Sequence, residues 1–451
     1  MTQLSINKTA LLCGLACLFT ASSAWSGDLL SAYRDALKYD SQLAAARYAM
    51  EAGKEKVTQG RSQLLPQVGA SAEASRAWVH YQPGKSQPGI IESKDSSGNK
   101  YDMAISAQQP IYRAQNFTAY EQSKLGAQAS ELQYRIAEQQ LMLRVAKAYF
   151  DVLQARDAVT VAAAQKEAFS EQLAQAKKRF QVGVATITDT YEAQSRFDST
   201  NAQEIAARND LEVKTNALRQ ITGTNQDWIA SLNRQMKPTQ PEPNDLNSWQ
   251  GMATNDNLVL QAQLLNEQVA KQEVKKNREG HLPTLDLVGR VGKNWDEVGA
   301  RNGGTDQTRT YSVGLQLNVP IYAGGALDSK TREAAANYEK TKQDVLTARR
   351  TLEQDTKSAF LGVTSGAAQV LALEQALVSA QSQLDATKTG QQVGVRTNVD
   401  VLNAQQQYYQ TLSSLLQARY NYLLAKLNLA FQAGKLSEAD LESVNKLMVK
   451  S

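Results

Sequence analysis

Cysteine is almost missing from this chain. Cys13 and Cys17 are the only two in 451 residues, and both fall within the first 26. That stretch reads as a secretory signal peptide. Lys8 supplies the positive start and Ala10 to Phe19 a short apolar core. Ala24-Trp25-Ser26 or Ser22-Ser23-Ala24 places small residues where cleavage needs them. Neither cysteine sits in a lipoprotein cleavage box. Once the signal is removed, disulfides, thiol catalysis and zinc–thiolate sites are excluded together. Histidine is equally scarce: His80 and His281 stand far apart, each beside a strand-like run, and read as surface or interfacial groups. No metal-ligand spacing, phosphate loop or nucleophile elbow is present. Gly324-Gly325 lacks a dinucleotide fingerprint and reads as a bend. The chain is therefore expected to be no enzyme, with no cofactor and no metal.

Two further absences narrow the class. With 42% hydrophobic residues and a mean hydropathy of −0.45, the chain is not a bundle of membrane helices. Beyond the N-terminus no uninterrupted apolar stretch approaches the ~20 residues a spanning helix needs. An excess of charge of one sign is also lacking. Without Lys8 the balance is 48 basic against 45 acidic residues, interspersed, with no basic run that would argue for nucleic acid.

Proline is sparse and unevenly placed. The nine fall at 66, 83, 88, 110, 238, 241, 243, 283 and 320, leaving 111–237 and everything after 320 free of it. A proline in a helix interior costs ~3 kcal/mol, so these two tracts are open to long helices. Both are rich in Ala, Gln, Leu, Glu and Lys, which favour helix. Leu143, Ala146, Phe150 and Leu153 step by three and four residues; so do Phe169, Leu173, Ala176 and Phe180, and Leu373, Leu377, Ala380 and Leu384. That spacing is a coiled-coil seam. Helices over about 113–181 and 323–392 would each run on the order of 100 Å. Each ends at a Val-Gly turn, Val182-Gly183 and Val393-Gly394, from which a shorter helix returns.

The segments between prolines have period two. Tyr311, Val313, Leu315, Leu317 and Val319 alternate with Ser312, Gly314, Gln316 and Asn318. Tyr101 to Gln109 and Leu285 to Val291 alternate likewise, and Val68 to Ala77 weakly. This pattern fits a strand between lipid and water, or a half-buried strand of a soluble sandwich. Polar tip loops at 82–99 and 297–310 separate the members of each pair.

The two halves are copies of one unit. Gln109-Pro110-Ile111-Tyr112 falls on Val319-Pro320-Ile321-Tyr322 and Phe150 on Phe360 at an offset of 210; Val182-Gly183 falls on Val393-Gly394 and Asp189 on Asp400 at 211. Each half reads helix, strand, strand, long helix, turn, helix. The expected division is a signal at 1–26, a first repeat at 27–222 (strands 66–79 and 101–112, turn 182–188), and a linker at 223–248. A second repeat at 249–433 (strands 283–296 and 311–322, turn 393–398) and a tail at 434–451 follow. Four strands cannot close a membrane barrel, whose smallest examples have ~8, and open edges in lipid are costly. A shared barrel is therefore expected, with 8, 12 or 16 strands for two, three or four copies.

At this point the residues resemble a known family, the TolC-like outer-membrane channel-tunnel proteins, over essentially the whole chain after the signal. Matching stretches include Leu64-Leu65-Pro66-Gln67, Ala148-Tyr149-Phe150-Asp151-Val152-Leu153, Arg179-Phe180-Gln181-Val182-Gly183 and Ile187-Thr188-Asp189. Gly280-His281-Leu282-Pro283-Thr284, Pro320-Ile321-Tyr322-Ala323-Gly324-Gly325, Val393-Gly394-Val395-Arg396-Thr397 and Ala418-Arg419-Tyr420-Asn421-Tyr422 continue the set. The resemblance implies a mainly α fold with a transmembrane β part. Three chains would share a 12-stranded β-barrel that continues into an α-helical barrel built from duplicated long hairpins. It implies an outer-membrane location reaching into the periplasm, contact with outer-membrane lipid, a periplasmic adaptor, and an inner-membrane ABC or proton-driven transporter. Such ducts serve type I protein secretion, the preferred reading, or multidrug or metal efflux. A secreted coiled-coil scaffold without a pore would explain the helices but not the alternating segments.

The resemblance also places a gate at the helix tips. Asp400 would be the constriction carboxylate, Arg396 a latch cation and Asp189 its acceptor. The family pattern has a second aspartate where this chain has Asn403 and a tyrosine where it has Gln391, so one acidic ring and one latch contact are in doubt. The simpler account is helix capping: Asp189 and Asp400 each open a helix, with Thr188 or Asn398 as caps. Arg396 aligns with Ala185, an asymmetry that capping does not require. Three copies of Asp400 around one axis are expected to raise one another's pKa.

Overall fold

The computed structural model describes residues 28–81, 94–224, 229–233, 235–298 and 305–449. The signal-peptide reading of 1–26, with Cys13 and Cys17, lies outside them. So does much of the two tip loops.

The first half opens with α1 (Leu29–Tyr39) and α2 (Ser41–Ser62), capped by Asp28 and Asp40, whose carboxylates accept from the N–H groups of Ser31 and Leu43. Strands β1 (Gln67–Tyr81) and β2 (Lys94–Tyr112) follow, then α3 (Ala114–Gln181) and α4 (Ile187–Thr222). The short β3 (Ser231–Leu232) and α5 (Leu246–Asp256) lie between the halves. The second half repeats the order with α6 (Leu258–Glu279), β4 (Thr284–Asp296), β5 (Asp306–Asn318), α7 (Ala326–Gln392) and α8 (Asn398–Gln432). Finally α9 (Glu438–Asn445) leads to β6 (Met448–Val449), which pairs with β3.

The four long strands form one antiparallel sheet in the order β1-β2-β4-β5. Its register separates two chemistries. Ala70, Ile105, Val291 and Tyr311 form one row, and Val68, Ala107, Gly289 and Val313 the next on the same side. The intervening rows face the other way: Gly69, Ser106, Arg290 and Ser312, then Glu73, Asp102, Asn294 and Thr308. On this polar side Arg290 pairs with Asp102 at 2.9 Å and Lys100 with Asp296 at 3.2 Å. Among the described residues nothing covers the apolar side: Val313 is 80% and Leu315 67% exposed. A soluble sandwich would bury that face, so this one is built to meet lipid. Both outer strands, β1 and β5, are open edges within one chain, and lipid tolerates such edges only when a neighbouring strand pairs with them.

In the first half β2 passes directly into α3; in the second, residues 319–325 separate β5 from α7. Arg113, between β2 and α3, reaches across to Asp286 on β4 with Nε at 2.8 Å from Oδ1 and Nη2 at 2.5 Å from Oδ2. Asp286 is buried and also accepts from the Gln108 amide. This fork fixes the angle at which the helical wall leaves the sheet, since a planar guanidinium accepts little rotation against a carboxylate.

The 68 residues of α3 and 67 of α7 extend on the order of 100 Å each. They turn back into α4 and α8, which cover only the far half, while α2 and α6 fill the near half. On α3 the buried Leu141, Val145, Tyr149 and Leu153 recur every four residues and enter the main core. Leu29 and Tyr33 of α1, Phe360 and Val363 of α7, and Tyr420, Leu423 and Leu427 of α8 complete it. Burial and nearby glutamates push the Tyr33 phenol up to about 12, so it stays a neutral core ring throughout the physiological range. The core closes the waist of the molecule. A strap from the inter-repeat linker is pinned across it: Thr239 donates its N–H to the Tyr422 hydroxyl at 3.0 Å, and that hydroxyl donates to the Thr239 carbonyl at 2.9 Å. A smaller cluster of Phe169, Leu173, Ala176, Ala193 and Leu402 sits toward the tips. Phe180, one step further along the expected seam, is 43% exposed, so burial along the seam ends before the turn.

Candidate functional site

Both helical hairpins end in the same structure. α3 closes through Gly183 (φ 78°) and α7 through Gly394 (φ 81°), a left-handed conformation that any other residue adopts only with strain. Val184 donates its N–H to the Arg179 carbonyl at 2.9 Å, and Val395 donates to Gly390 at 2.8 Å. These bonds satisfy the last open carbonyls of each long helix.

The returning helices start with capping boxes. Thr186 accepts from the Asp189 N–H at 3.3 Å while Asp189 accepts from the Thr186 N–H at 3.0 Å. Thr397 and Asp400 do the same at 3.2 and 2.9 Å. The caps are thus Thr186 and Thr397, not Thr188 and Asn398. The reason is register: a Thr three residues before an Asp lets both side chains reach back at once, and Thr188 and Asn398 lie inside the first turn. Asn398 instead accepts at 3.1 Å from the amide of Gln391, a buried residue that ties the end of α7 to the start of α8.

Asp189 and Asp400 therefore carry a structural duty whatever else they do. The Asp400 carboxyl is held below the usual carboxylate range, chiefly by the Thr397 N–H and hydroxyl, with Arg396 adding to the effect. This is opposite in direction to mutual repulsion between three copies. Within one protomer the described residues form no ion pair between Arg396 and Asp189. The Arg396 stem lies against Gly390, where an added Cβ would meet its Cγ at 2.8 Å, and its N–H donates to the Gly390 carbonyl at 3.1 Å.

The structure brings Asn403 into a contact that sequence reasoning missed. Arg196 on α4 donates through Nη2 to the Asn403 side-chain oxygen at 3.1 Å and through Nη1 to the Gln406 side-chain oxygen. It joins the tip of the first hairpin to that of the second. A signal existed: at the 211 offset Arg196 falls on Gln407, the same one-sided cation that singled out Arg396. The two histidines take no part. His80 pairs with Asp95 on the neighbouring strand, and His281 lies 3.6 Å from Asp328.

The turns themselves are apolar and open. Val182, Val184, Val393 and Val395 are between 66 and 78% exposed. Two neighbouring hairpin tips thus present four valines on glycine turns, beside charged and amide groups on the returning helices.

Known proteins place this architecture. The chain is similar to the outer membrane protein TolC of Vibrio cholerae, 35% identical over 433 residues, covering 95% of this chain and 96% of that protein. It is also similar to the alkaline protease secretion protein AprF of Pseudomonas aeruginosa, 33% identical over 429 residues and covering 95% and 88%. The outer-membrane channel CmeC of Campylobacter jejuni shares the fold at 19% identity, with a TM-score of 0.78 over 93% of this chain and 90% of that one. The profile described as outer membrane efflux protein matches residues 32–224 and 249–435, which together take in both repeats. The chain belongs to the outer membrane efflux protein family: it is a non-enzymatic outer-membrane channel protein that extends into the periplasm.

Proposed function

We propose that this protein is the exit duct of a type I secretion system, carrying a polypeptide from an inner-membrane transporter through a periplasmic adaptor to the cell exterior. Proteins of this family form trimers, and three four-stranded sheets would join at their open edges into a 12-stranded barrel. The polar face with Arg290, Asp102, Lys100 and Asp296 would line the water-filled lumen. Exposed Leu361, Leu371 and Val378 on α7 supply an apolar stripe suited to a neighbouring protomer. The helical hairpins prolong the same cylinder on the periplasmic side. The observation that carries the cargo class is likeness along nearly the whole length to two proteins named for protease secretion, AprF at 33% and PrtF of Dickeya chrysanthemi at 29% identity.

Multidrug or metal efflux is the second reading. The efflux protein TtgC of Pseudomonas putida is 22% identical over 82% of this chain, a weaker likeness than the secretion proteins show. Deleting the gene separates the two. Loss of one or a few secreted polypeptides with unchanged drug and metal tolerance is expected. Unchanged secreted proteins with increased drug or metal sensitivity would replace protein export by efflux.

The four tip valines suit a periplasmic adaptor, which would meet both hairpins of each protomer at once. Asp400 would form the narrowest ring of the entrance. Arg396 would reach Asp189 on a neighbouring hairpin and hold the tips together, with Gln391 setting the angle of the second turn. An adaptor that prefers separated tips shifts the equilibrium by its difference in affinity between the two states.

A further inference from the structure

We propose that Arg196 is a second latch of the entrance, acting within one protomer to hold the tip of the α7/α8 hairpin against that of α3/α4. This rests on the duct reading above and concerns how its entrance is held closed. Three observations carry it. Arg196 forks onto two side chains of the other hairpin, Asn403 at 3.1 Å and Gln406. These acceptors stand three residues apart on α8, so one guanidinium grips one face of that helix. The link also joins residues 207 and 210 positions apart, across the seam between the two repeats.

The seam it spans is poorly satisfied at this end. Near the waist α3 and α8 meet through a direct polar and aromatic contact: the Tyr420 hydroxyl donates to Asp157 at 2.6 Å, and its ring lies 5.9 Å from that of Phe150. Toward the tip the same two helices bury Gln172 and Gln405, whose side-chain oxygens have no hydrogen-bond partner among the described residues. A buried acceptor without a donor favours any movement that lets it meet water. The tip is thus the end of the seam inclined to part, and Arg196 supplies a hold there.

Its acceptors are neutral amides. That distinguishes this latch from one built on Arg396 and Asp189, and it assigns a use to Asn403, where the family pattern has an aspartate. Arg196 is a positioning residue here; it need not touch the cargo.

The test is single-channel conductance of the full-length trimer in planar bilayers, comparing wild type with Arg196→Ala, Arg196→Lys and the double variant Asn403→Ala/Gln406→Ala. Trimer on a gel without heating is the folding control. Three copies acting together multiply a modest bias per contact, so Arg196→Ala and the acceptor double variant are each expected to raise the open-to-closed ratio by about tenfold. Arg196→Lys keeps the charge but replaces the two-nitrogen fork by a single ammonium nitrogen, and should fall between them and wild type. Intact Arg196→Ala and acceptor-variant trimers with wild-type open probability overturn the latch while leaving the duct reading standing, since that reading is decided by the export phenotype of the deletion.

Discussion

Asp400 illustrates how one side chain can serve two masters at the tip. Its carboxylate closes the capping box with Thr397, and in a trimer three copies would face a common axis. The two duties pull its titration in opposite directions. Hydrogen bonds from Thr397 and the nearby Arg396 lower its pKa. A lowered folded pKa means that the capping contribution is fully present above the unfolded value of about 3.9 and is lost only as pH falls through the lower folded value. Ring repulsion would shift the loss upward. Block of the channel by divalent cations reads the outcome: it should persist from neutral pH down to about 4 and weaken in Asp400→Ala. A midpoint above about 5 would show that repulsion between copies wins, and block at wild-type strength in the variant would put the carboxylate off the pore axis. Arg396→Ala and Asp189→Ala should each increase ion leak through the resting channel; unchanged conductance in both would remove the latch between them. The roles of Asp189 and Asp400 as helix openers were legible from sequence, because capping is local. The caps themselves, Thr186 and Thr397, were not, since the choice depends on where the first helical turn settles.

Among elements, the contact of α2 with α3 shows what the wall demands. Gly53 and Gly60 lie seven residues apart on α2, and on the facing α3 so do Ser130 and Ser123. A Cβ on Gly53 would come within 2.3 Å of the Ser130 Oγ, and one on Gly60 within 2.5 Å of the Ser123 Oγ. The heptad spacing brings the two small pairs onto one line, so the backbones approach closely along it. Gly60→Leu should force the helices apart and destabilise the near half of the wall by about 1–3 kcal/mol. A lower melting temperature with the trimer still formed is the expected result, and an unchanged one would mean that the seam has room. Heptad spacing in α3 and α7 and alternation in the strands were visible in the sequence because each is a period of a single element. The short α5, α9 and the β3–β6 pair were not, as none is long enough to show a period. The strap at Thr239 depends on Tyr422, 183 positions away.

For the whole molecule, the two faces of the sheet make the sharpest test of orientation. Leu315 and Gln316 are neighbours in β5 yet face opposite sides, as their partners Leu287 and Asp286 on β4 do. Leu315→Arg places a charge on the lipid side, at a cost of about 2–4 kcal/mol if it lies near the bilayer midplane. Gln316→Arg adds the same charge to the polar side. The first is expected to reduce the amount of trimer recovered from outer membranes, and the second to leave it near wild type. Equal losses would mean that the faces are assigned wrongly. Duplication, proline-free tracts, period-two segments and glycine turns are properties of consecutive residues. From them the sequence by itself determined a mainly helical, twofold-repeated chain with strands suited to a shared barrel. Tertiary structure alone decided the order β1-β2-β4-β5, the Arg113–Asp286 joint between sheet and helix, and the Arg196 bridge between hairpins. Those contacts join residues far apart in the chain through single side chains, and a lone pairing leaves no periodic trace along a sequence.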